Sequence, residues 1–128
     1  MAGYVDGFVL PIPKKNIPAY KKLAKLAGKV WLEHGALDYF ECVADDVKSG
    51  KQTSFPQSVK LKKGEAVFFS YITYKSRSHR DRVLAKVMKD PRLQLDMKSM
   101  PFDVKRMIWG GFKPIVKMQT LQEKGKRK

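Results

Sequence analysis

The chain has almost nothing with which to build a conventional catalytic or metal centre. Its 128 residues include one cysteine and two histidines. Cys42 has no partner for an intramolecular disulfide and no second thiolate for a zinc site. Such a chain suits a reducing compartment, and we expect a cytoplasmic protein. No apolar N-terminal segment with a cleavage site is present, and no hydrophobic run approaches bilayer length, so no membrane partner is expected. There is no Ser-His-Asp order and no glycine-rich nucleotide fingerprint. Gly110-Gly111 lacks the following Lys-Ser/Thr and the helix start that would aim amides at a phosphate. Acidic residues are also scarce: 12 Asp+Glu face 27 Lys+Arg, for a formal net charge of +15.

What is present is enough apolar material for one modest core, 43% of residues being hydrophobic. We expect a single domain over residues 1–118 and a basic tail over 119–128. The excess of cations attracts polyanions. The lysines are nevertheless spread along the chain, as general solvation requires, and only Lys124-Gly125-Lys126-Arg127-Lys128 forms a block.

Periodicity gives the order of elements. Tyr4 to Leu10 is β-rich and stops at Pro11 and Pro13, with Tyr4, Asp6, Phe8 and Leu10 on one face. Ile17, Tyr20, Leu23, Ala24, Ala27, Val30, Trp31 and His34 form one helical stripe. Asn16 stands at its cap position, Gly35 at its left-handed stop, and Lys21, Lys22, Lys25 and Lys29 fill the opposite side. Leu37 to Ala44 reads as a second strand. Asp45 to Gly64 is long for a connection and predicts a hidden short element near Ser58 to Leu61. Ala66 to Tyr74 is aromatic on both faces and reads as a central strand. A second helix, capped by Ser76 or Ser78, has Val83, Leu84, Val87 and Met88 as its stripe. Asp90-Pro91 then starts a further turn. Arg106 to Val116 reads as the last strand, with a bulge at Gly110-Gly111. The order βαββαβ predicts an α+β, ferredoxin-like fold: a four-stranded antiparallel sheet with both helices on one face. Its other face, rich in Tyr, Phe and Trp, needs a partner.

Several segments carry a resemblance: Tyr4-Val5-Asp6-Gly7-Phe8, Gly35-Ala36-Leu37, Glu41-Cys42, Asp45-Asp46-Val47, Gly50-Lys51, Arg80-Asp81, Asp90-Pro91-Arg92 and Met100 to Phe112. In order and spacing the chain, from about residue 4 to 116, resembles the YbaA-like family of small bacterial proteins, a family of unknown function. It departs at Val104, where the family commonly has Gly, and at Ser54, where Asp is frequent. The resemblance implies a monomer of the dimeric α+β barrel group, in which two sheets pack face to face. It implies no reaction.

Asp6, Glu41 and Arg106 are ionic residues on strand segments that are otherwise apolar, and buried charges pair or shift their pKa. We expect them to form one structural ionic cluster fixing the dimer seam, or the polar part of a pocket under the sheet. Such a pocket would be lined by Trp31, His34, Tyr39, Phe69 and Tyr71, with Glu41 and Arg106 as its polar groups. It would take a small organic ligand without a cofactor. Cofactor-free oxygen chemistry is the reading by fold analogy. The competing reading is an RNA-binding module that uses the basic surface and the aromatic sheet, including the segment Gly64-Glu65-Ala66-Val67-Phe68-Phe69. His34 is read as a helix-terminal histidine favoured by the macrodipole, His79 as exposed, and Cys42 as a buried small hydrophobe. No metal site is expected.

Overall fold

The computed structural model describes residues 2–120. Most of the basic block at 119–128 therefore lies outside the described residues. Four strands and three helices form a mixed α/β structure: β1 (Tyr4–Pro13), α1 (Ile17–Glu33), β2 (Asp38–Val43), α2 (Phe55–Ser58), β3 (Glu65–Tyr74), α3 (Arg77–Lys89) and β4 (Ile108–Phe112). The strands make one open antiparallel sheet in the order β2-β3-β1-β4. The aromatic strand β3 is central, as its two apolar faces predict.

β1 runs through both prolines instead of stopping at them. Pro11 and Pro13 pair in register with Val67 and Glu65. The Lys14 amide donates to the Gly64 carbonyl on the β3 side (2.8 Å), so the nitrogens of residues 11 and 13 face the other way by alternation. β4 pairs only with Val5 to Val9, so no ladder bond is lost there.

One face of the sheet carries Tyr4, Asp6, Phe8 and Leu10 of β1 with Phe68, Ser70, Ile72 and Tyr74 of β3. Val30 of α1 and Val83 and Val87 of α3 pack on Tyr4, Ile72 and Tyr74. Tyr20 and Ala24 of α1 pack with Leu10, Ile12, Phe68 and Phe102. Both long helices thus cover the same face. Gly35 (φ +115°) ends α1, with its amide donating to the Leu32 carbonyl and that of Ala36 to the Trp31 carbonyl. Ser76 caps α3, its hydroxyl accepting from the His79 amide at 3.1 Å. Asn16 does not cap α1. Its side chain donates instead to the Pro101 carbonyl, 2.9 Å away, tying the helix start to the segment before β4.

The segment between α3 and β4 has little regular structure, and aspartates organise it. Asp90, Asp96 and Asp103 each accept the amide two residues on, starting 3-10 turns at Pro91–Leu93, Met97–Ser99 and Val104–Arg106. Arg106 therefore lies in a turn before β4, not in the strand. The Gly110-Gly111 bulge is also corrected: the pairing Gly7↔Gly110, Asp6↔Gly111 is continuous. Glycine is needed at 111 because a Cβ there would collide with the Tyr4 hydroxyl and the Arg80 guanidinium. In the 45–64 connection the short element is α2, with Ser54 as its cap, and not 58–61. The serine hydroxyl does what an aspartate would do at that position.

Candidate functional site: a hydroxyl-ringed carboxylate in an apolar cavity

A cavity of about 390 Å³ lies between the helix-covered face of the sheet and the helices. β1, β2 and β3 form its floor, α1 one wall, and the 93–107 segment the opposite wall. That second wall is rich in methionine: Met97, Met100 and Met107 join Met88 of α3. Unbranched thioethers adapt to the shape of a guest.

Against this apolar lining stands one carboxylate. Glu41 is in register with Ser70, and Tyr39 with Ile72, so all four side chains share the cavity side of the sheet. Glu41 Oε1 accepts from the Tyr20 hydroxyl (2.8 Å) and the Ser70 hydroxyl (2.5 Å), and Oε2 accepts from the Tyr39 hydroxyl (2.8 Å). Among the described residues none of the ion pairs includes Glu41. Burial, reinforced by the Glu41 charge, holds both tyrosine pKa values far above the ordinary phenol value, so both stay donors. A carboxylate has about four acceptor positions. Three are used here, and one on Oε2 remains for a guest. Glu41 can thus accept a hydrogen bond, or a proton, from a molecule in the cavity.

The expected ionic cluster of Asp6, Glu41 and Arg106 does not form; the structure separates its members. Asp6 meets Arg80, Oδ1 lying 3.3 Å from Nε without the alignment of a hydrogen bond. Burial raises the Asp6 pKa, partly offset by the Tyr74 hydroxyl and Arg80. Arg106 grips Glu65 with two bonds (2.8 and 2.6 Å) and Asp103 with a third (3.0 Å), and donates to the Lys60 carbonyl (3.0 Å). It holds the 59–65 connection against the turn before β4, away from the cavity. Its absence from β4 is the physical reason that it cannot answer Asp6 or Glu41.

Of the residues expected to line a pocket, the structure brings together Trp31, Tyr39 and Glu41. Phe69 and Tyr71 lie on the opposite, open face, because Ser70 shares the side of Glu41. His34 is at the end of α1 with Nε2 2.9 Å from Asp90 Oδ2, and Asp90 also binds Arg92 (2.8 Å), which reaches Glu33 (2.9 Å). His79 is half-buried rather than exposed: Nδ1 accepts the Lys75 amide (2.9 Å) and the ring meets Tyr74 edge-on. Cys42 is exposed, not buried, because its register with Phe69 places it on the open face of the sheet. Among the described residues no group of three or more His, Cys, Asp or Glu could hold a metal, and no helix is long and apolar enough to cross a membrane.

Sequence reasoning missed Tyr20, Ser70 and the methionine wall. Ser70 had a signal, as the small polar residue inside the aromatic run Val67 to Tyr74. Tyr20 stood in the apolar stripe of α1 with a hydroxyl that burial obliges to find an acceptor.

Fold and site together define a small α+β protein with an open antiparallel sheet and an apolar cavity lined by an acceptor carboxylate. The chain belongs to the family described as "Protein of unknown function (DUF1428)", whose model matches residues 3–104. It is 47% identical over 113 residues to the uncharacterized protein YbaA of Escherichia coli K12, covering 88% of this chain and 97% of that protein. Identity and coverage are the same for YbaA of Shigella flexneri. Among solved structures it is similar to a Bacillus cereus protein related to NIF3, with a TM-score of 0.35 and 10% identity over 91% of this chain. The chain spans 26% of that protein's length, and so distant a likeness carries no argument about fold or function.

Proposed function

We propose that this protein binds a small, largely apolar organic molecule that presents a hydrogen-bond donor to Glu41. The observation that carries the reading is the Glu41 carboxylate, ringed by three hydroxyls and without an ion-pair partner among the described residues, on the floor of an apolar cavity of about 390 Å³. Cavities of this size suit small ligands. The test is titration with 4-hexylphenol and with hexylbenzene, followed by Trp31 fluorescence in a Trp109→Phe background. The phenol should bind saturably and about tenfold tighter than the hydrocarbon, and Glu41→Gln should remove most of that preference while far-UV circular dichroism stays unchanged. Absence of saturable binding by either compound overturns the reading.

We further read the strand order, with both long helices on one face, as the ferredoxin-like arrangement of a dimeric α+β barrel subunit. The open face supports a second copy of this chain as its cover. Its central groove is lined by Val5, Val9, Phe69, Tyr71, Ile108 and Phe112, with Gly7 and Gly110 making a notch. The Phe40 and Tyr71 rings stack beside it at 5.1 Å. A projection and a notch on one face suit a two-fold interface. Among the described residues no lysine or arginine lines that groove, whereas a single-strand nucleic-acid platform combines aromatics with cations. Light scattering should give a mass of two chains, and Tyr71→Glu should give one. A monomeric wild type, or RNA binding lost in Tyr71→Glu, would favour the nucleic-acid reading instead.

A further inference from the structure

A second hollow lies on the outer side of the Glu41 cluster. It is a groove of about 570 Å³ between α1 and the edge strand β2. Ile17, Leu32, Val43 and Phe68 give it apolar walls, and Lys21, Lys25 and Lys29 stand along it. Four-residue spacing places these lysines in one row on α1. None of the three takes part in an ion pair among the described residues. Lys22, also on α1, does not line the groove.

The groove and the internal cavity share Tyr20, Ala24, Tyr39 and Glu41. Glu41 and its two tyrosine partners thus line both the apolar cavity and the lysine-edged groove, and can be reached from the groove. Groups of opposite charge, Glu41 and the three lysines, line this one groove. Glu41 repels an anionic group and selects a donor. The lysine row attracts an anionic group and repels a cation. The lysine stems can also cover an apolar guest while their ammonium groups stay in water.

We propose that the groove is a second subsite, and that the ligand is an amphipathic organic acid. Its carboxylate lies along Lys21, Lys25 and Lys29, and its hydroxyl donates to Glu41 across an apolar spacer. This rests on the Glu41 reading above and names the ligand class for that site. A neutral phenol fills only the Glu41 end. A plain fatty acid fills only the lysine end. A hydroxylated acid satisfies both.

The test uses four matched probes: 4-(4-hydroxyphenyl)butanoate, its methyl ester, 4-phenylbutanoate and the methyl ester of the last. Binding is measured by calorimetry at low salt and again at high salt. The hydroxy acid should bind about tenfold tighter than its ester at low salt, with the gap narrowing as salt screens the lysines. A triple variant Lys21→Gln, Lys25→Gln, Lys29→Gln should lose the acid-over-ester preference and keep the hydroxyl preference. Glu41→Gln should do the reverse. These lysines are exposed, so the triple variant should fold. Equal binding of acid and ester by the wild type, or an acid preference that survives in the triple variant, overturns the groove subsite while leaving the Glu41 site standing if the hydroxyl preference persists. Loss of the hydroxyl preference as well overturns both.

Discussion

Tyr4, Asp6, Arg80 and Gly111 meet where β1, β4 and α3 converge. Arg80 lies over the Tyr4 ring, 5.1 Å from its centroid, and donates to its hydroxyl at 3.2 Å. A methyl group at position 111 would stand 2.7 Å from Tyr4 Cε2 and closer still to the two polar ends. Neither side chain is free to yield, since Tyr4 is buried and Arg80 is tied to Asp6. Gly111→Ala should therefore destabilise the fold by about 1–3 kcal/mol, read from urea midpoints. Arg106 makes a second such knot, with Glu65 and Asp103. Its truncation to alanine should cost about 2–3 kcal/mol through lost charged hydrogen bonds and leave the oligomeric mass unchanged, because the knot lies off the open face. A wild-type midpoint for Arg106→Ala would show that the 59–65 connection is held by other contacts.

The elements differ in how far the chain alone announced them. The stripe of α1 was legible, since a 3.6-residue period needs only local geometry, whereas its expected cap Asn16 turned out to bond the distant Pro101 carbonyl. The left-handed glycine after it and the serine cap of α3 were legible for the same reason. The central position of β3 followed from two apolar faces, but those faces also hid which one held the site. Phe69 and Tyr71 are as aromatic as Phe68, and only the pairing of Glu41 with Ser70 decides the side. A register slip of one residue exchanges every side chain between faces, and register is a long-range property. The same limit applied to Asp6, Glu41 and Arg106. Each was recognisable as a charge with somewhere to go, while the partners Arg80, Tyr20 and Glu65 come from other elements. The ion pairs of the chain also set its response to acid. Arg106 holds Glu65 and Asp103 below the ordinary carboxylate range, and Arg92 with His34 does the same for Asp90. In each case the unfolded chain binds the proton first, so stability present above the ordinary range is lost as pH falls through it. Asp6 acts in the opposite sense, because its raised folded value favours lower pH and loses stability as pH rises through that value. Three against one, the urea midpoint should fall between about pH 6 and about pH 3. Asp90→Asn should flatten that fall, and an unchanged slope would place the acid sensitivity elsewhere.

At the scale of the whole molecule the two faces of the sheet pose different problems. The covered face buries its hydrophobic side chains against α1 and α3 and keeps a cavity. The open face leaves Phe40, Phe69, Ile108 and Phe112 exposed in a single chain, and a contiguous exposed apolar patch marks a surface for a partner. The Phe55 ring of α2 reaches this face and meets Phe69 edge-on at 6.1 Å, so the long 45–64 connection borders it. Cys42 supplies a built-in reporter. It lies in register with Phe69 on the same face and is exposed in one chain. If a second copy covers the sheet, the thiol is shielded although nothing in its own chain protects it. A disulfide reagent such as dithionitrobenzoate should then react slowly with the wild type, faster on dilution below the dimer constant, and at a free-thiol rate in Tyr71→Glu. The rate in Glu41→Gln should match the wild type, because the cavity lies on the other side of the sheet. Fast, concentration-independent reaction in the wild type would mean that the open face stands uncovered in solution. The aromatic surface would then have to serve a partner other than the chain itself.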